Sequence, residues 1–285
     1  MSNYHILYNP LAANGRGEEN VKIMEKFYPN EMKQYTNITT LSNMDEFFKK
    51  VPHDDKIVIC GGDGTLNFVA NNVECDKIKT EILYYPMGSG NDFANDMGKT
   101  KEDAPFRVNE ALVNLPICRV KGREYKFING IGYGIDGYCC EVGDKQRAKS
   151  DKPINYASIA IKGLLFFFHP SNAVVEVDGK ETKYWRVYLA PTMKGRYYGG
   201  GMMCAPDQAR FDVNREVTFV CAHLCSRLRL LMIFPSIFKG EHVKHKMFVK
   251  TMKGKHVKVK FSKPQALQVD GETITAVSEY EVIVK

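Results

Sequence analysis

Ile57-Val58-Ile59-Cys60-Gly61-Gly62-Asp63-Gly64-Thr65-Leu66-Asn67 is an apolar, β-branched run that breaks on two glycines and continues into a helical pattern. A short run of this kind reads as a buried strand, and strand, glycine turn and helix in that order open a βα unit. Glycines at the junction let the backbone turn sharply and approach an anion closely. Free amides and the dipole at the helix start then favour phosphate. Thr65 adds a hydroxyl donor and Asn67 an amide. Asp63 would repel phosphate unless it orients a metal ion or accepts a proton. The spacing is neither GxxxxGKS/T nor GxGxxG, which disfavours P-loop and Rossmann assignments.

Outward from this stretch, the first third of the chain alternates strands with helices. Residues 4–8, 32–36, 56–60 and 82–85 read as strands, and 18–27, 44–51 and 66–73 as helices. That alternation implies a mostly parallel sheet covered on both faces. A second glycine loop, Pro86-Met87-Gly88-Ser89-Gly90-Asn91-Asp92-Phe93-Ala94, follows the strand at 82–85. Strand C-termini of a parallel sheet lie along one edge, where ligands bind, so two such loops can clasp one nucleotide. Ser89, Asn91 or Asp92 would equally serve as a plain helix cap.

The second half reads differently. Strands are expected at 127–134, 173–177, 184–190, 217–221, 256–261, 266–269 and 280–284, with turn signals at Asp178-Gly179 and Asp270-Gly271. Helices are expected at 154–168 and 228–238. The domain boundary is placed at the charged turn 121–125. This gives a nucleotide-binding α/β domain over 1–122 and a β-rich domain over 123–279, with the strand near 280–285 free to return to the first. No internal repeat or low-complexity tract is present.

The 285 residues carry a net charge of +7, which fits an anionic lipid surface, nucleic acid or a polyphosphate ligand. No basic segment followed by a long apolar stretch opens the chain, so no signal peptide is expected. The apolar run 154–168 is interrupted by Lys162 and falls short of the ~20 residues a membrane span needs. The eight cysteines show no CxxC spacing and are expected to be reduced core thiols rather than zinc ligands.

The two glycine loops resemble those of the diacylglycerol kinase catalytic-domain family, which includes bacterial soluble diacylglycerol kinases, related lipid kinases, sphingosine kinases and ceramide kinases. Further matching stretches are Asn9-Pro10 with Gly15 and Gly17, Phe127-Ile128-Asn129-Gly130 to Asp136, Gly199-Gly200-Gly201, Gly240-Glu241-His242-Val243-Lys244-His245 and Asp270-Gly271-Glu272. They occur in family order along nearly the whole chain. The Gly61 to Thr65 motif alone is shared with NAD kinases. The resemblance implies a three-layer α/β domain similar to phosphofructokinase and NAD kinase, a β-sandwich second domain and a cleft between them. It implies ATP on Gly61, Gly62, Asp63, Gly64, Thr65, Leu66 and Asn67, on Gly88, Ser89, Asn91 and Asp92, and at Asn9. A threonine after the second strand, Thr36 or Thr40, also contacts nucleotide in the family. The proton acceptor falls on Glu272, with Asp270 and Asp63 as the other catalytic carboxylates and Mg²⁺ offsetting phosphate charge. A structural Mg²⁺ is implied in the loop Pro206-Asp207-Gln208-Ala209-Arg210-Phe211-Asp212, held by the Asp212 side chain and the carbonyls of Ala209 and Asn214.

The chain departs from the family pattern at three places: Phe68 where glutamate is usual, Leu115-Pro116-Ile117-Cys118 where an aspartate is frequent, and Asp212-Val213 where Asp-Gly is usual. A lipid substrate demands contact with a membrane. The candidates are 228–238, with Arg227, Arg229, Lys239, His242, Lys244, His245 and Lys246 around it, and 164–168. These readings describe an ATP-dependent lipid kinase, diacylglycerol being the default acceptor, that is cytoplasmic and transiently at the inner face of the membrane. Alternatives are a kinase for a soluble substrate such as NAD, and a regulatory nucleotide- or lipid-binding protein. A homodimer stays open; no nucleic-acid-binding motif is present.

Overall fold

The computed structural model describes residues 3–149 and 154–285. The chain divides into two units, Met1–Leu115 and Pro116–Lys285.

The first unit is built on a five-stranded sheet: β1 (Tyr4–Tyr8), β2 (Lys33–Asn37), β3 (Lys56–Gly61), β4 (Glu81–Pro86) and β5 (Phe106–Arg107), in the order β2-β1-β3-β4-β5. All neighbours are parallel except β4 and β5. Successive residues of β3, Ile57 to Cys60, are all buried, which is why the run carries no polar alternation. One face packs Ile6, Val58, Cys60 and Leu83 against Val21 and Met24. The expected helix 18–27 is segmented into Gly17–Asn20, a 3₁₀ turn Val21–Ile23 and Met24–Phe27. The helix after β3 spans Asp63–Asn72, so it starts at Asp63 rather than at 66. Extended backbone at Gly62 (φ −89°, ψ −176°) ends the strand so abruptly that Asp63, Gly64 and Thr65 already form the first helical turn.

The second unit is an antiparallel β-sandwich, as its resemblance implied. Its strands are β6 (Ile117–Val120), β7 (Arg123–Lys126), β8 (Gly130–Tyr133), β9 (Ser171–Val177), β10 (Lys180–Val187), β11 (Thr192–Met193), β12 (Tyr197–Tyr198), β13 (Met202–Met203), β14 (Val217–Ala222), β15 (Val249–Gly254), β16 (His256–Val269) and β17 (Glu272–Ile283). The main sheet has ten strands, along the path β15-β14-β11-β8-β16-β17-β6-β7, with β9 joining β16 and β10 joining β9. The strands expected at 256–261 and 266–269 are one strand. β16 pairs with β9 through Val257 to Phe261 and with β8 through Leu267 to Val269. Its register with β17 shifts between Lys260 and Gln265, around Pro264, which has no amide hydrogen to donate.

Unit 2 begins at Pro116, ahead of the expected boundary. Lys121 and Gly122, both with positive φ (49° and 74°), form the turn of the β6–β7 hairpin. The last strand belongs wholly to unit 2, paired with β16 and β6. A helix not foreseen from the sequence, Ile135–Arg147, follows β8. The region 154–168 forms the helix Tyr156–Lys162 and a π-turn Gly163–Phe167. Region 228–238 forms the helix Arg227–Ile233, capped by Ser226, and a 3₁₀ segment Phe234–Lys239. No helix among the described residues is long and apolar enough to cross a membrane. None of the eight cysteines is in a disulfide; seven are buried and Cys140 is half-buried.

Candidate active site

In unit 1 the C-terminal ends of β1, β3 and β4 bring three loops together. Gly61 pairs with Pro86 across the sheet, and the Asn9 amide donates to the Cys60 carbonyl (3.3 Å). Asn9 Nδ2 donates to Thr65 Oγ1 (3.1 Å), tying the first loop to the glycine turn. The Met87 amide donates to the Gly61 carbonyl (2.8 Å). The Tyr84 hydroxyl donates to the same oxygen (3.0 Å), and burial pushes its pKa well up, so it stays a donor.

Gly62 and Gly88 lie back to back. A Cβ on Gly88 would sit 2.8 Å from Gly62 Cα, and one on Gly62 would sit 3.1 Å from Gly88 Cα. Only glycine permits two backbones this close. Asp63 then stitches the loops from the side: Oδ2 accepts from the Asp92 amide (3.0 Å) and Oδ1 from the Phe93 amide (2.8 Å). The carboxylate expected to serve metal or proton is thus also the N-terminal cap of the Asp92–Asp96 helix. Asn91 stands in left-handed conformation (φ 52°). Its Nδ2 donates to the Gly88 carbonyl (2.9 Å), while its Oδ1 is buried with no partner among the described residues. Gly64 and Ser89 are exposed; Thr65, Leu66 and Asn67 are buried.

The two candidate threonines are separated. Thr36 lies near the end of β2, level with Leu7 of β1. Thr40 closes a 3₁₀ turn, its hydroxyl donating to the Asn37 carbonyl (2.8 Å). Phe68, where the family has glutamate, is half exposed on the Asp63–Asn72 helix.

In unit 2 the turn Asp270-Gly271 joins β16 to β17, both residues at positive φ (45° and 92°), as an Asp-Gly hairpin turn requires. The Asp270 carboxylate accepts from the amides of Ile128 (2.5 Å), Asn129 (3.0 Å) and Gly130 (2.9 Å). Asp270 is therefore a clamp on the segment entering β8, not a free base. The turn at Asp178-Gly179 is built the same way: Asp178 Oδ1 accepts from the amides of Lys255 (3.0 Å) and His256 (2.8 Å). The difference lies in the next residue. Lys180 follows one turn and Glu272 the other, and Glu272 is exposed.

In the loop implied to hold a metal, two of the named ligand residues already have partners. The Ala209 carbonyl accepts from the Asp212 amide (3.2 Å) and from Gln208 Nε2 (3.3 Å). Both its lone pairs are taken. Asp212 Oδ1 accepts from the Asn214 amide (3.2 Å), an ordinary local turn. No cluster of three or more histidine, cysteine or acidic side chains suited to a metal occurs among the described residues.

One expected cation is also relocated. His242 is buried, its Nε2–H donating to the Cys204 carbonyl (3.0 Å), and burial lowers its pKa to about 4. It is a neutral core residue and not part of a basic rim. Arg210 and Asn129 are buried; both lie in stretches that resemble the family's, but an arginine in a polar loop reads locally as a solvated charge.

Residues 3–115 match the diacylglycerol kinase catalytic domain. Residues 129–283 match the YegS C-terminal NAD kinase beta sandwich-like domain. The chain belongs to the diacylglycerol kinase catalytic-domain family. It is similar to a diacylglycerol kinase of Bacillus subtilis, 26% identical over 283 residues, covering 95% of this chain and 90% of the relative. A diacylglycerol kinase of Staphylococcus carnosus is 25% identical over 232 residues, 76% and 70% of the two chains. The crystal structure of a diacylglycerol kinase from Bacillus anthracis covers 99% of this chain and 94% of its own, with TM-score 0.60 at 16% identity, which supports the fold. The chain is thus a kinase of a lipid kinase family, and that family implies ATP as its phosphoryl donor.

Proposed function

We propose that this lipid kinase transfers the γ-phosphoryl group of ATP to the free hydroxyl of diacylglycerol, giving phosphatidic acid and ADP. The observation that carries the reading is the contrast within the Asp270-Gly271-Glu272 hairpin. Asp270 is spent on three backbone amides, while Glu272 is exposed, its carboxylate making no hydrogen bond or ion pair with any described residue. A lipid hydroxyl is a poor nucleophile. Glu272 takes its proton as the oxygen–phosphorus bond forms and the bond from the γ-phosphorus to the β-γ bridging oxygen breaks. The loops at Gly61 to Asn67 and Gly88 to Asp92 hold the nucleotide phosphates, with Thr65 and Ser89 as hydroxyl donors. The orphaned Asn91 Oδ1 is an acceptor that a nucleotide hydroxyl or an ordered water would fill. Mg²⁺ bound with ATP would offset the phosphate charge; the partners already held by the Ala209 carbonyl and the Asp212 carboxylate speak against a further metal in the loop 206–214. Diacylglycerol is the acceptor named for the Bacillus subtilis and Staphylococcus carnosus relatives.

Access to the lipid is through an apolar face of unit 2. Arg227 Nη1 donates to the Leu164 carbonyl (2.7 Å), fixing the Arg227–Ile233 helix against the Gly163–Phe167 turn. That juxtaposition merges the two docking candidates into one patch. Phe166 and Phe167 are 67% and 61% exposed, Leu228 and Met232 71% and 73%. Lys162, Arg229 and Lys239, in or next to these segments along the chain, are exposed. Apolar side chains ringed by cations suit an anionic bilayer.

The test is Glu272→Gln, assayed with labelled ATP and diacylglycerol in mixed vesicles. Phosphatidic acid production is expected to vanish while ATP binding persists. Unchanged turnover in that variant would refute the assigned base, and wild-type turnover independent of added lipid would refute the lipid acceptor.

A further inference from the structure

The segment 128–130 is gripped from two sides. Its amides donate to Asp270, and on the other side Arg210 donates through Nη2 to Asn129 Oδ1 (3.0 Å) and through Nη1 to the Ile128 carbonyl. Arg210, Asn129 and Gln208 are all more than nine-tenths buried. Gln208 in turn holds the loop that carries Arg210, donating to the Glu216 carbonyl (2.9 Å) and accepting from the Thr218 hydroxyl (2.5 Å). A guanidinium has been taken out of water here at considerable cost. Its planar fork reaches two acceptors at once, which a lysine ammonium or a loop-bound ion would not do with the same geometry.

We propose that Arg210, rather than a divalent ion in the loop 206–214, is the cation that positions the hairpin bearing Glu272. The route is short and covalent at its end. Arg210 holds the Ile128 carbonyl and the Asn129 side-chain Oδ1, Asp270 holds the backbone amides of Ile128, Asn129 and Gly130, and Glu272 stands two residues beyond Asp270. The carbonyl that a metal would need, at Ala209, is already saturated by the Asp212 and Gln208 donors. Arg210 is a positioning residue and touches no reactant. Its catalytic consequence rests on Glu272 being the base; its structural consequence does not.

The experiment uses the full chain without nucleotide. Wild-type melting temperature is expected to be the same in EDTA and in Mg²⁺, Ca²⁺ or Mn²⁺. Arg210→Met is expected to speed amide exchange at Ile128, Asn129 and Gly130. It should also lower kcat about 10- to 100-fold, the scale of a misplaced catalytic group, at unchanged KM for ATP. Arg210→Lys, which keeps the charge but not the fork, should recover less than half of the lost kcat. In Arg210→Gly, added methylguanidinium should restore turnover in part. A wild-type melt that drops on chelation overturns the proposal, as does Arg210→Met with wild-type exchange. If Arg210→Met does not fold, Arg210→Lys decides: wild-type exchange and kcat there remove the role of the fork. Were wild type inactive on diacylglycerol, the proposed function would fall, while the melting and exchange measurements would still judge Arg210.

Discussion

Gly88→Ala and Gly64→Ala form a matched pair, because the two glycines lie in the two phosphate-loop candidates yet meet different surroundings. A Cβ at position 88 would lie 2.8 Å from Gly62 Cα and 2.9 Å from Asn91 Oδ1, whereas one at 64 has nothing within 4 Å. Carbon atoms rest ~3.5–4.0 Å apart, so Gly88→Ala must push the loops apart by roughly 0.7 Å or more. Overpacking of this kind costs about 1–3 kcal/mol. Gly64 lies in the helix Asp63–Asn72 and lacks a positive φ, so alanine there should stabilise by about 0.4–1 kcal/mol. The two variants should therefore move the urea midpoint in opposite directions. ATP titration by calorimetry should show affinity lost in Gly88→Ala, since separated loops no longer converge on one ligand. The reasoning is refuted if Gly88→Ala unfolds at the wild-type midpoint and binds ATP with wild-type affinity.

Asp63→Ala removes the acceptor of two helix-cap amides and should destabilise by about 1–3 kcal/mol, with weaker ATP binding; Asp63→Asn, which keeps one oxygen, should lose roughly half as much by the same measurements. His242, whose folded pKa is lowered to about 4, contributes stability that is complete above about pH 6.5 and is lost as pH falls toward 4. The full span amounts to about 3 kcal/mol. In denaturation series across that window, His242→Gln should flatten the slope relative to wild type, and an unaltered slope would remove His242 as its source. Replacing Phe166 and Phe167 together by serine should weaken binding to anionic vesicles by about tenfold or more in sedimentation assays, with the circular dichroism spectrum unchanged. Equal vesicle binding would show that the patch docks elsewhere or on nothing.

The sequence made the first unit readable because its sheet is buried on both faces, so Ile57 to Cys60 had to be an unbroken apolar run. The hairpin at Asp270 was equally plain, since Asp-Gly encodes the left-handed backbone the turn requires. The helix Ile135–Arg147 was hidden for the opposite reason. Gly137 and Gly143 look like helix breakers, yet a Cβ at 137 would meet the Ala266 carbonyl oxygen at 1.8 Å and one at 143 the Tyr156 ring at 2.8 Å. Those glycines record close packing between segments far apart in the chain, which no local pattern reveals. The same holds for β16, read as two strands because Pro264 interrupts the alternation where the strand merely bends. In the loop 206–214, where the resemblance implied a metal, the partners of Gln208 and Arg210 are tertiary contacts that no local pattern reveals.

The twin Asp-Gly turns at 178 and 270 are built alike. Each holds the backbone amides of a neighbouring segment through its aspartate, so neither turn depends on the residue that follows it. On the proposed reading, the single carboxylate at 272 separates a catalyst from a bystander, while the aspartate that builds the turn is the same at both places.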